Sequence, residues 1–257
     1  MRTSRVIVIA ATARSGSTLL ARGLGATGLL GDPEECLNPV IISDLRRQWG
    51  VPRITMRGQA GGLRRRLAGD RDWAYTFRYN RRSLVRYLDM LAEHRTGPTG
   101  VLSMKVMWTQ YDSVMLSRDL SANHWGVPVE WLRTSRVDRV GQAVSVVRAK
   151  QTGQWTAEGR AVADPVYDAV DIAASLAAEN RFEAKWDAYF ADIGVEPFTV
   201  GYEQLDADYD GTMASVLSHL GVDTPVPPRQ LKRQGDAIND EWVARFLADR
   251  AQSGRGA

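Results

Sequence analysis

Val6-Ile7-Val8-Ile9-Ala10-Ala11-Thr12-Ala13-Arg14-Ser15-Gly16-Ser17-Thr18-Leu19-Leu20 decides the architecture of this chain. A β-branched apolar run breaks into small residues. An apolar-periodic segment with Leu19, Leu20 and Leu24 follows at once. The pattern reads as a strand over 6–10, a tight turn, and a helix over 17–25. The turn from Thr12 to Thr18 suits an anion. Gly16 lets the backbone approach closely, and the first-turn N–H groups point outward with the positive end of the helix dipole behind them. Ser15, Ser17 and Thr18 add hydroxyl donors, and Arg14 adds a permanent charge able to bind bidentately. The nucleotide-triphosphate loop has the form G-x-x-x-x-G-K-[ST]. Here the first Gly and the Lys are missing, the loop is shorter, and an Arg stands two residues before Gly16. An ATP or GTP machine is disfavoured; an anion is not. Strand–turn–helix segments with Gly and Ser are common, but this is the first βα turn, where open α/β sheets bind their ligands.

The 257 residues suit one large α/β domain or two small ones. Residues 1–257 are read as a single domain, with no convincing internal boundary and no repeat. Hydrophobic content of 44% and charged content of 25% are ordinary for a globular chain. A net charge of +3 favours anionic ligands without demanding nucleic acid. The one cysteine, Cys36, excludes an internal disulfide. No apolar run approaches the ~20 residues of a membrane span. Arg2 and Arg5 before an apolar stretch mimic a signal peptide, but the run is short and continues into the turn. These features predict a cytoplasmic protein.

Further along, helices are predicted over 41–49 and 83–94, strands over 100–108 and 129–134, and a helix over 139–149 capped by Asp138. One or two long helices cover 165–192. A strand covers 197–201, and helices cover 212–220 and 240–250. The tail over 252–257 is expected to fray. Strands alternating with helices predict an α/β fold, a central parallel sheet with helices on both faces. Residues 50–72 are rich in Gly and Arg. The Arg-rich stretch 57–71 reads as a solvated loop or a lid over an anionic substrate more readily than as a nucleic-acid surface, since no aromatics interleave it.

A second anion site is suggested by Arg136, which ends the strand over 129–134, and by Ser145 two turns along the next helix. Arg148 lies one turn further. Taken alone these residues read more readily as a surface Arg and a helix Ser. Two phosphate-type sites on neighbouring βα units suit a ligand with phosphates at both ends of a nucleoside.

Several blocks in the same order resemble the sulfotransferase family typified by bacterial trehalose 2-sulfotransferase. They are Ala13 to Leu20, Ala26-Thr27-Gly28 with Gly31 to Glu35, and Lys105 to Trp108 with Gln110. Arg136 with Asp138, Gln142 to Ser145, Arg148 to Thr152 with Trp155, Arg233-Gln234, and Asp240 to Val243 complete the set. They span nearly the whole chain. The resemblance implies a P-loop-like sulfotransferase fold with 3′-phosphoadenosine 5′-phosphosulfate (PAPS) as donor, adenosine 3′,5′-bisphosphate as product and no metal. Arg14 to Leu19 (Arg14, Ser15, Gly16, Ser17, Thr18, Leu19) would hold the phosphosulfate end. Arg136 and Ser145, with Arg148, would hold the 3′-phosphate, and Arg233 and Gln234 would close over the nucleotide. Sulfuryl transfer resembles phosphoryl transfer in its loose in-line transition state, so positioned cations carry most of the catalysis. Arg14 is the candidate to neutralise the leaving phosphate.

His94, His124 and His219 sit in no motif, so the base is expected to be a carboxylate. Glu35 matches the family's catalytic Glu, its pKa expected to be raised by burial near Cys36 and Leu37. On residues alone, Glu34-Glu35 reads as an exposed acidic helix start, and Glu34 is the second choice. Lys105 interrupts an apolar strand, which is costly unless it meets an anion or a salt-bridge partner. Both remain open. Glu34, Trp108, Gln151 and Trp155 are assigned to the acceptor; for the two tryptophans, stacking on a sugar or adenine competes with core packing.

The acceptor region departs from the family. Cys36-Leu37-Asn38-Pro39 replaces its aromatics, and residues 37–80, read as an acceptor-binding or lid insertion, are short and carry seven Arg between Arg46 and Arg66. The expected acceptor is a hydroxyl of a carbohydrate or small natural product, and trehalose is not assumed. The resemblance also allows a homodimer. Two other classes remain. A P-loop nucleotide-dependent phosphotransferase (kinase) would need a Lys in the first loop and a magnesium-holding carboxylate. A non-enzymatic nucleotide or nucleic-acid binder would use 57–71 as its basic surface.

Overall fold

The computed structural model describes residues 2–51, 81–155, 159–231 and 237–253. Four strands form one parallel sheet: β1 (Arg5–Ala11), β2 (Val101–Met107), β3 (Val129–Ser135) and β4 (Phe198–Gly201), in the order β2-β1-β3-β4. Around it lie α1 (Ser17–Ala26), α2 (Pro39–Gln48), α3 (Arg81–Arg95), α4 (Arg139–Thr152), α5 (Ala169–Ile193), α6 (Tyr202–Ala207), α7 (Tyr209–His219) and α8 (Ala237–Ser253).

β1 is central and continuously apolar because both its faces are covered. Val6, Val8 and Ala10 pack with Leu102, Met104, Val106, Trp131 and Trp186. Ile7 and Ile9 point the other way, against Leu20 and Leu24 of α1 and Met213 and Val216 of α7. The strand order turns back at β1, so the β1/β3 boundary is the switch point where a crevice opens at the strand ends. Register places Ala10 beside Arg133 and Ser135 beside Gly201, so the segments leaving β1, β3 and β4 all emerge at one edge.

The expected strands and long helices are present, with shifted ends. Residues 165–192 give a single helix, α5, whose N-terminus is capped by Asp168 accepting from Val170 and Asp171 N–H. β2 ends at Met107 rather than at 108. Trp108 opens a helical turn that runs through a π-helical stretch, Tyr111–Met115, where the 3.6 period fails. α6 was not legible: six residues with one buried apolar position, Leu205, carry no periodicity. α8 continues through Ser253, so residues 252 and 253 of the expected frayed tail are helical. The Arg-rich stretch 57–71 lies outside the described residues.

Asp138 caps α4 as expected, its Oδ1 accepting from Gly141 N at 2.8 Å. A Cβ on Gly141 would overlap that carboxylate. Gly141→Ala is therefore expected to cost about 1 kcal/mol or more, the value of a lost cap, read as a lower urea midpoint at unchanged m-value.

Candidate active site

The turn after β1 is an unusual piece of backbone. Arg14 (φ 61°) and Gly16 (φ 83°) are both left-handed, which a non-glycine residue adopts only when its surroundings enforce it. Gly16 precedes α1 without any side-chain cap, so the Ser17 and Thr18 N–H groups are not taken up by a cap, while Leu19 N donates to the Gly16 carbonyl (3.0 Å). A Cβ on Gly16 would stand 2.7 Å from Tyr202 Cδ2, so the position admits only glycine.

Polar neighbours enforce this shape. Gln142 Nε2 donates to the Ala13 carbonyl (2.7 Å) and to Thr12 Oγ1 (3.0 Å), and Thr12 Oγ1 donates to Glu183 Oε1 (2.8 Å). Ala13 N donates to Glu179 Oε2 (3.2 Å). The Ser15 hydroxyl bonds the Thr12 carbonyl (2.8 Å) and Thr134 Oγ1 (2.7 Å). Ser15 therefore braces the loop instead of offering its hydroxyl to a ligand. Ser17, Thr18 and Leu19 border the cavity in front of the turn.

Cations gather at the mouth of this turn. Arg14 Nε donates to Ser145 Oγ (2.8 Å) and its Nη1 to the Trp155 carbonyl (2.7 Å). Arg136 donates through Nη1 to the Arg14 carbonyl (3.3 Å), pairs with Asp138 (3.2 Å) and lies 4.7 Å over the Tyr202 ring. Its Nε is buried and meets no hydrogen-bond partner among the described residues. Ser145 is thus bonded to Arg14, and Arg14, Arg136 and Ser145 all border one cavity. Arg148 donates to Asn239 Oδ1 (2.6 Å) and stands behind them. Burial, then the repulsion of Arg136, pushes the Arg14 pKa down to about 10; Tyr202 opposes this, and Arg148 adds a lesser push downward. Clustered, partly desolvated cations of this kind are relieved by an anion.

Across the cavity sits Glu35. Its Oε1 pairs with Lys105 Nζ at 2.9 Å; its Oε2 accepts from Gln110 Nε2 (2.9 Å) and Asn38 Nδ2 (3.2 Å). Asn38 also caps α2, accepting from Val40 N, so helix start and carboxylate are tied together. Of its two options Lys105 takes the salt bridge, to Glu35, and it also donates to Thr18 Oγ1 of the turn after β1 (2.9 Å). The expected upward pKa shift of Glu35 is overturned. Burial does push it up, but Lys105 and the hydrogen bonds of Gln110 and Asn38 outweigh burial and hold it below the ordinary value.

The cavity encloses about 640 Å³ between the turn, Glu35, Trp108, Phe182 and Trp155, a size ordinary for a small-molecule site. The family model of the Stf0 sulphotransferases matches residues 6–249. The chain belongs to that family. Trehalose 2-sulfotransferase of Mycobacterium tuberculosis (strain ATCC 35801 / TMC 107 / Erdman) is 30% identical, over 98% of this chain and 98% of that protein. The enzyme of the same name from Mycolicibacterium smegmatis is also 30% identical, over 96% of each chain. Among solved structures, the sulfotransferase domain from the curacin biosynthetic pathway is 17% identical with a TM-score of 0.45, covering 92% of this chain and 80% of that one.

This Stf0 sulphotransferase does not bring every expected residue to the cavity. Glu34 pairs with Arg95 (2.9 Å) beside Asp32, exposed and off the cavity, so neither a base nor an acceptor role fits it. Gln151 spends both ends of its amide on the backbone of Val166 (2.9 Å each) and is likewise off the cavity. Trp108 both packs edge-on against Trp186 (5.0 Å) and borders the cavity; Trp155, 44% exposed, borders it from the rim. Arg233 and Gln234 lie outside the described residues. Gln110, Asn38, Tyr202 and the buried pair Glu179 and Glu183 were not among the expected site residues. Of these, Gln110 carried a signal, as one of the residues on which the family resemblance rests. No described helix is long and apolar enough to cross a membrane.

Proposed function

We propose that this sulphotransferase draws its sulfuryl group from PAPS and delivers it to a hydroxyl of a carbohydrate or small natural product, with Glu35 as general base. The observation that carries this reading is that Arg14 and Arg136 border one cavity at an uncapped helix start, with Arg136 Nε buried and without a hydrogen-bond partner among the described residues. Such a cluster fits a ligand with two separate anionic ends. PAPS supplies an activated sulfuryl group on a phosphate leaving group when bound. Arg14, the first-turn N–H groups and Thr18 would hold its phosphosulfate end, and Arg136 and Ser145 its 3′-phosphate.

The chain's own residues then have distinct tasks. Lys105 spans Glu35 and the turn, so it orients the carboxylate and adds positive charge where the transferring group must lie. Glu35 is ionised at neutral pH and can accept a proton from a hydroxyl. Trp108, Phe182 and Trp155 offer apolar faces on which a sugar ring can pack. The names of the mycobacterial relatives support a carbohydrate, while Cys36-Leu37-Asn38-Pro39 following the base argues for a different one.

Calorimetry without magnesium tests the donor. Adenosine 3′,5′-bisphosphate is expected to bind at micromolar Kd, with little heat from ATP or AMP. No bisphosphate binding, or ATP binding that requires magnesium, would replace this reading with a phosphotransferase.

A further inference from the structure

Helix α5 carries two carboxylates, Glu179 and Glu183, one turn apart on the same buried face. A buried carboxylate is costly unless its oxygens are met. Glu183 is met by Arg133 (2.7 Å), Arg139 (3.1 Å) and Thr12 Oγ1 (2.8 Å), which accounts for it as part of the protein's frame. Glu179 is different. It borders the ligand cavity and accepts the Ala13 N–H, the amide immediately before Arg14. Gln142 holds the carbonyl of the same residue. Ala13 is therefore gripped on its N–H by α5 and on its C=O by α4. The next residue is the one in the left-handed region, and its guanidinium reaches Ser145.

We propose that Glu179 is a positioning residue for donor binding: by fixing the Ala13 peptide it holds Arg14 in the backbone conformation that aims its guanidinium into the cavity. It acts through Arg14 and need not touch the donor. The role rests on an accepting oxygen, not on charge, so glutamine at this position should serve. Without the bond, Ala13 is gripped on its C=O alone, and the turn through Arg14 can relax more easily toward the common right-handed region, which leaves the cation less firmly preset. The inference rests on the bisphosphate reading above, and the test separates the two.

The measurement is the calorimetric Kd of adenosine 3′,5′-bisphosphate for a double-variant cycle of Glu179 and Arg14. Glu179→Met removes the acceptor at similar volume; Glu179→Ala is a smaller replacement made alongside it in case the first does not fold, and stoichiometry reports the competent fraction. Either is expected to weaken binding by roughly fivefold or more, the value of one buried hydrogen bond. Glu179→Gln should stay within about twofold of wild type. In the Arg14→Ala background, the same Glu179 change should have almost no further effect, because the residue it positions is gone. A merely structural role would cost the same factor in both backgrounds. Equal losses in both, wild-type affinity in Glu179→Met and Glu179→Ala, or a Gln variant as weak as the Met variant would overturn the proposal while leaving bisphosphate binding by the wild type intact. If the wild type itself binds no bisphosphate, the donor reading fails and this one with it.

Discussion

Glu35→Gln should lower turnover by ~10² or more while bisphosphate affinity stays at the wild-type level. Glutamine preserves the size of the side chain and keeps one accepting oxygen, for Lys105 or for Gln110 and Asn38 but not for both, so the shape of the pocket is kept while one of these contacts is lost. What it loses is the ability to take a proton, a demand made only in the transition state. The loss should therefore appear in kcat and kcat/KM together. Full activity in this variant would remove Glu35 as base.

The pH profile sharpens the same test. Glu35 is held below the ordinary carboxylate value because Lys105 and its hydrogen-bond donors outweigh burial. Its base form is therefore present throughout the neutral range, and the acid limb of kcat/KM should lie below the usual glutamate range. Lys105→Met removes the largest of the lowering influences and leaves burial, which acts upward. The acid limb should then move to higher pH even though Lys105 itself takes no proton from the acceptor. The same depressed pKa makes Glu35 a contributor to stability above its unfolded-state value, a contribution lost as pH falls through the folded value.

The turn after β1 was legible because its chemistry is local. Val6 to Ile9 announce a buried strand, Gly16 a turn, and Arg14 and Arg136 stand at strand ends where a crevice must open. Glu35 was not legible from residues alone. Two adjacent acids after Asp32-Pro33 read as a solvated helix start, and for Glu34, paired with Arg95 at the surface, that reading was close to right. The pKa direction failed for a related reason. Burial of Glu35 could be inferred from Cys36 and Leu37, but Lys105 and Gln110 lie some seventy residues away and meet it only in the folded sheet. Glu179 and Glu183 were hidden by base expectation: glutamates on a long helix are nearly always its wet face, and only the packing of α5 across the turn turns them inward. That helix also carries Trp186, Tyr189 and Phe190 into the aromatic cluster behind Trp108. One element thus ties the turn after β1 to the aromatic wall of the cavity.

Removing a charge from that turn should separate function from stability. Arg14→Ala is expected to weaken bisphosphate binding by roughly 1.5–3 kcal/mol, the loss of one charge-assisted contact, and Arg136→Ala by a comparable amount. Arg14→Lys should fall between, since an ammonium keeps the charge but not the planar fork. With a pKa lowered only to about 10, Arg14 remains a cation at neutral pH, so its charge is available to a ligand. The lowering itself records that the folded, ligand-free protein holds this cation against burial and two neighbouring guanidinium groups. Deleting it relieves that repulsion and gives up the bonds to Ser145 and the Trp155 carbonyl, so the ligand-free melting temperature should not fall in step with affinity. The upward shift produced by saturating bisphosphate should shrink, because that shift measures binding to the native state. Wild-type affinity in both variants would dismiss the site. A parallel loss of ligand-free stability and affinity would instead make Arg14 a structural residue of the turn, with the donor held elsewhere.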